Sequence, residues 1–223
     1  MDRKTYLDFR NRLVSFIHGL CVLILSGYQV YSKPTECGDP TSKLSYFTLI
    51  FSGSYFTYDF LCMAYFGLLE IDMFIHHLLC ILGILQVLLY NNGANYIVLG
   101  LFIAEVSNPP MHCRILLRNI GKRYSRAYEL AEYMYFMLFF FGRIIIGHPA
   151  VYATVTCYSA PLFARVVSVG ILLQSYQFLY RMYFIFNSRI KETAERRSKG
   201  IKIHWFEPIP LETLKECDFW KKS

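Results

Sequence analysis

Six apolar blocks, at residues 13–31, 46–66, 73–90, 95–110, 128–147 and 162–186, occupy most of this 223-residue chain, and short polar segments separate them. A helix needs about 20 apolar residues to cross the hydrocarbon core, and in lipid its backbone must be hydrogen-bonded within the helix itself. The expected fold is therefore an all-α membrane protein with about six transmembrane helices. Composition agrees: 55% of residues are hydrophobic, 17% are charged and the mean hydropathy is +0.32, whereas a soluble domain is about one-quarter charged. The fourth block is short and ends in Asn108-Pro109-Pro110. The double proline is expected to kink or end that helix and free carbonyls, which Asn108 or a neighbouring span must then satisfy. The sixth block exceeds one bilayer crossing, which implies tilt or an extension into water. Residues 148–161 read as too polar and too proline-bounded to cross.

Lysine and arginine set the expected orientation, because positive charge is retained on the cytoplasmic side. With a cytosolic N-terminus, most of the 23 basic residues fall on that side: in a basic segment 1–12, between the fourth and fifth blocks, and in a basic cytosolic tail 189–223. Residues 13–188 are the membrane domain, with Lys33 and Lys43 on the opposite side and 13–31 read as a retained signal anchor. The tail, with Arg196, Arg197 and Lys199, is expected to be a solvated or lipid-facing extension, and Lys221-Lys222-Ser223 is a dilysine-like end one position out of register. The net charge of +7 fits a juxtamembrane fringe beside anionic lipid better than nucleic acid, since no zinc-finger spacing or soluble basic domain exists. Seven cysteines include no CxxC pair. Only Cys37 and Cys157 share the non-cytoplasmic face, where they could pair or stay free.

Within the spans, polar residues recur every three or four positions, which places them on one helical face. Ser15, His18, Val22, Ser26 and Gln29 line the first span, and Ser52, Tyr55, Asp59 and Cys62 the second. Glu105 and Asn108 lie one turn apart in the fourth, with His112 in register if the helix survives the prolines. Tyr128, Glu132, Tyr135, Phe139 and Arg143 line the fifth; Gly170, Gln174, Gln177 and Arg181 line the sixth. Ionisable groups facing lipid cost on the order of 2.5–3.5 kcal/mol each at mid-bilayer, so these stripes must face a shared polar chamber. The third span opens with His76-His77. Adjacent residues diverge by about 100°, so one ring can enter the chamber while the other meets a neighbouring helix, and His77 is the expected chemical or ligand-contacting ring. Asp59 and Glu105 are the expected charge or hydrogen-bond partners. Arg143 is expected to bind an anionic head group or to form an ion pair, for which Asp59 is one partner.

Asn11-Arg12-Leu13-Val14-Ser15 leading to His18, Tyr55 with Asp59, the FIHH motif at 74–77, Glu105-Val106-Ser107-Asn108-Pro109 and FGRIIIG at 141–147 together resemble the TLC (TRAM/Lag/CLN) domain family, over residue 8 to about 186. The likeness is strongest to small TLC-domain-containing proteins and more distant to ceramide synthases. It implies a six-helix bundle or barrel around a polar chamber, in the endoplasmic reticulum or another endomembrane, binding a membrane lipid or acyl chain in lipid metabolism or homeostasis. Two alternatives follow from it: a ceramide-synthase-like N-acyltransferase of sphingolipid metabolism, with acyl-CoA as substrate, or a trafficking receptor without catalysis. The transferase reading makes His76, His77, Asp59 and Glu105 the candidate catalytic residues. Arg143, Tyr55, Asn108 and His18 are then the candidate lipid or head-group contacts, with no metal and no cofactor. Ceramide synthases carry Asp-x-x-Asp after the histidines, whereas this chain has Glu105-Val106-Ser107-Asn108; an amide cannot take a proton as the second carboxylate would. Relatives of this size often carry one more hydrophobic helix before the Asn-Arg motif.

Overall fold

A computed structural model describes residues 2–32 and 36–221. Lys33 and the closing Lys222-Ser223 of the dilysine-like end lie outside the described residues. The chain is all-α, with no strand among the described residues. Helix α1 spans Arg3–Ser32, α2 Lys43–Tyr65, α3 Ile71–Tyr90, α4 Ala94–Glu105, α5 Asn108–Asn119, α6 Arg126–Phe139, α7 Gly147–Thr156 and α8 Leu162–Ser198. Two short helices, α9 at Leu211–Lys215 and α10 at Asp218–Lys221, close the chain.

Four helical runs are long and apolar enough to cross a membrane: α1, α3, the run Arg126–Thr156 and α8. Helix α2 belongs to the same bundle with inverted amphipathicity. It exposes Phe47, Ile50 and Leu61 and buries Ser45, Thr48, Ser52 and Asp59. Large apolar side chains exposed around the bundle, among them Ile24, Leu61, Leu89, Leu173 and Phe184, would be an aggregation hazard in water and are the expected surface in lipid. Helix α1 packs on α2, α4 and α5, while α3 packs between α2 and α8.

Two interruptions differ from the sequence expectation. The fourth block breaks at Val106-Ser107, before the prolines, and the helix then resumes as α5 with proline in its first turn. There the missing N–H is one of the orphans anyway, so proline starts a helix instead of ending one. The fifth block does not stop near residue 147. It passes through a π-helical stretch, Phe140–Ile146, and continues as α7 across the segment read as non-crossing. Pro149 has no N–H to return to the Ile144 carbonyl in the i→i+5 register; the His148 ring donates to that carbonyl instead, at 2.5 Å.

The two ends of the bundle are tied differently. At one end a disulfide joins Cys37 to Cys157, and Arg165 donates to the Cys157 and Ala160 carbonyls beside it. At the other, basic end, the tail is folded back. Ile209 and Leu214 are buried with Tyr124, and Ile201, Ile203 and Phe219 pack around them. Arg196 is buried and paired with Glu129. This differs from a free extension, because the run after α8 carries enough apolar residues to cover the α5–α6 connection.

Candidate functional site

Helix α3 presents its two histidines to different neighbours. His77 is 2% exposed. Its Nδ1 donates to the Met73 carbonyl at 2.7 Å and its Nε2 lies 2.7 Å from Asp59 Oδ2. A backbone carbonyl only accepts, so Nδ1 carries hydrogen and the ring and carboxyl share one further proton. The second Asp59 oxygen accepts from Asn11 Nδ2 at 2.7 Å. Asn11, Asp59 and His77 thus clamp α1, α2 and α3 together, and His77 has no ring nitrogen left for a ligand.

Both rings border the polar cavity, but His76 alone also borders the apolar one, whereas the expected contact was His77. Gln174 on α8 donates its amide N–H to the Asp72 carbonyl at 2.7 Å, so Gln174 Oε1 faces His76 Nδ1 at 3.2 Å. The Nδ1 proton is therefore held by Gln174, and Nε2, 3.7 Å from Cys80 Sγ, is the basic nitrogen. Asp72 is held in turn by Gln177, at 2.9 Å, and by an ion pair with Arg181. Gln177 and Arg181, expected to face the chamber, sit instead at the entry of α3 and tie it to α8. Asp72 is a positioning residue outside the sequence expectation, for which a carboxylate in the first turn of a helix is the available signal.

The break after Glu105 organises the rest. Arg143, in the π-helical stretch, donates to the Ala104 carbonyl at 3.0 Å and to Asn108 Oδ1 at 3.2 Å. Asn108 Nδ2 passes the polarity on to Glu105 Oε2 at 2.9 Å. A neighbouring span thus satisfies a carbonyl freed at the break, as backbone accounting in lipid demands. Arg143 stacks on Phe139, 5.2 Å from guanidinium to ring centroid. It does not pair with Asp59, whose oxygens are already taken. Glu105 contacts neither histidine by hydrogen bond. A Cβ at Gly19 would come within 3.0 Å of Glu105 Oε2, so α1 closes directly over this carboxyl.

His18 stacks face to face on Tyr55 with centroids 3.6 Å apart. Its Nε2 and the Nδ1 of buried His112 lack hydrogen-bond partners. Glu132, by contrast, leaves the chamber for the basic end, where Arg114, Arg189 and the Tyr128 hydroxyl all reach it at 3.0–3.1 Å.

These side chains border two adjoining cavities of about 140 Å³ each. The first is polar, with Arg12, His18, Tyr55, Asp59 and His112 in its wall. The second is apolar and runs toward the disulfide end between Leu79, Ile97, Leu101, Val151, Val167 and Leu172. Phe56, His76, Glu105, Asn108 and Arg143 belong to both walls. Every residue expected at the site borders this chamber, although His77 and Asp59 do so as its frame. Among the described residues no group of three His, Cys, Asp or Glu side chains is arranged to hold a metal ion.

A family model described as the TLC domain matches residues 8–189. The chain belongs to the TLC domain family. TLC domain-containing protein 4 A of Dictyostelium discoideum is 28% identical over 151 residues, covering 65% of this chain and 58% of that protein. The match therefore spans less than two thirds of that relative's length. No solved structure matches. The TLC match begins close to Asn11 and ends at Arg189, so it contains the whole chamber and excludes the folded-back tail.

Proposed function

We propose that this TLC protein binds a single amphipathic lipid or acyl-chain molecule in its chamber and serves lipid metabolism or homeostasis in an endomembrane. The observation that carries the reading is the meeting of a polar and an apolar lobe at His76, Glu105, Asn108 and Arg143. An apolar chain buried in the long lobe gains about 25 cal/mol per Å², while a polar head finds donors and acceptors in the other. The Cys37–Cys157 disulfide supports an oxidising compartment on that side, hence a lumenal face and a cytosolic basic end.

Gly100 offers a clean test, because it lines the apolar lobe and a Cβ there meets nothing within 4 Å. In native mass spectrometry from mild detergent, wild type is expected to carry one lipid per chain. Gly100→Leu, which adds a branched side chain at the rim of the lobe and removes a helical glycine, is expected to weaken retention of that lipid without losing stability. Equal lipid on both proteins, or none on wild type, would refute the reading.

A second reading, acyl transfer from acyl-CoA to an amine, is favoured by one observation: the His76 Nε2 at the wall of both cavities, whose one neighbour within hydrogen-bond range is the weak donor Cys80 Sγ at 3.7 Å. In that reaction Nε2 takes the proton of the attacking amine as its nitrogen bonds to the thioester carbonyl carbon. The carbon–sulfur bond breaks, and the proton leaves with the coenzyme A thiol. Turnover abolished by His76→Ala in a folded protein is the expected result; full turnover would leave only the binding reading.

A further inference from the structure

The geometry points to a membrane-surface anchor in the folded-back tail: Trp205 and Phe206, flanked by Arg126 and Lys122, sit in the head-group layer of an anionic leaflet. Trp205 is 54% and Phe206 63% exposed, although the tail around them buries Ile209 and Leu214 nearby. Their depth is set by backbone bonds. The first amides of α6 have no partner inside their own helix. Arg126 N–H donates to the His204 carbonyl at 2.8 Å and Ala127 N–H to the Trp205 carbonyl at 3.1 Å, while Ser125 caps Tyr128. The Arg126 side chain adds a bond to the Ile203 carbonyl at 3.0 Å. Residues 203–205 are therefore pinned to the start of a membrane-crossing run.

That start lies just below lipid-facing surface. Arg126, Leu130, Met134, Met137 and Phe141 follow at helical spacing and are all exposed, so they form one outward stripe. Leu130 is one turn, about 6 Å, above Arg126. The Arg126 guanidinium lies over the Trp205 ring at 6.0 Å and the Lys122 ammonium over the Phe206 ring at 5.9 Å. Tryptophan with stacked cations at the foot of an apolar stripe is the composition of a bilayer interface. Exposed Arg118 and Lys202 add positive charge near it in sequence against Glu207, which selects anionic lipid. Trp205 and Phe206 border neither cavity of the chamber, so their contact with a leaflet is independent of a lipid bound inside.

The chain has two tryptophans, and Trp220→Phe leaves Trp205 as the only one. Reconstituted into phosphatidylcholine vesicles with and without phosphatidylserine, this variant is expected to show blue-shifted emission, quenching by lipids brominated near the head group and a loss of acrylamide quenching. The acrylamide protection should deepen with phosphatidylserine, and that added protection should be lost in Lys122→Gln/Arg126→Gln. Hydroxyl-radical footprinting of the wild-type chain gives the same answer without a tryptophan substitution: Trp205 and Phe206 become protected on moving from detergent to phosphatidylserine vesicles. Full acrylamide quenching in both vesicle types would overturn the proposal. So would protection already complete in detergent, which would mean that protein covers the patch.

Discussion

His77 spends both ring nitrogens inside the protein, on the Met73 carbonyl and the Asp59 carboxyl, whereas His76 keeps Nε2 at the chamber wall. Removing one member of a buried charge-sharing pair costs about 3–5 kcal/mol, while losing one ordinary hydrogen bond costs about 1 kcal/mol. His77→Ala is thus expected to lower unfolding stability several-fold more than His76→Ala in an SDS titration, and His76→Ala to affect mainly ligand retention. Equal stability losses would contradict the division. A second residue-scale prediction concerns the tail. Glu195 accepts from Lys199 Nζ and from the amides of Asp218 and Phe219. The Lys199 hydrogen bond, followed by the Asp218 amide, holds its carboxyl below the ordinary value of 4.5. A depressed folded value means the stabilisation is complete above about pH 4.5 and is lost as pH falls through the lower folded value. The protection factors of the Asp218 and Phe219 amides are expected to fall over that acid range in wild type. In Glu195→Gln they should be lower already at neutral pH and nearly independent of pH.

At the scale of elements, the two helix interruptions face each other. The break at Val106-Ser107 frees a carbonyl, and the π-helical stretch aims Arg143 at it. Close approach makes this possible: a Cβ on Gly142 would lie 3.1 Å from Val106 Cγ1 and 3.2 Å from the Ile103 carbonyl. Backbone cannot yield as a flexible side-chain end can, so Gly142→Ala must push α4 away. The expected destabilisation is about 1–3 kcal/mol, accompanied by weaker lipid retention in native mass spectrometry. A neutral Gly142→Ala would refute this close approach. The sequence announced the break through Asn108-Pro109-Pro110 but not its partner. A π-helical stretch leaves no period distinguishable from 3.6 over seven residues.

Across the whole molecule, the disulfide closes one end and the tail the other. The bond spans 120 residues, so it restricts a long loop in the unfolded chain and contributes about 2–4 kcal/mol. Cys37→Ser is expected to abolish a reduction-dependent gel shift and to lower stability by that amount; an unshifted wild type would mean free thiols. The all-α membrane class, the helix count to within the broken elements and the inward face of the first and fifth spans were legible in the amino-acid sequence. Each of these is a local property, carried by hydropathy and a 3.6-residue period within one segment. Packing between helices set which histidine borders both cavities, where Glu132 and Arg143 find partners, and that the tail folds back. Those outcomes depend on rotation and crossing between helices far apart in sequence, such as Asn11 with Asp59 and His76 with Gln174. A one-dimensional pattern identifies which side of a helix is polar; the opposing side chain is set by packing.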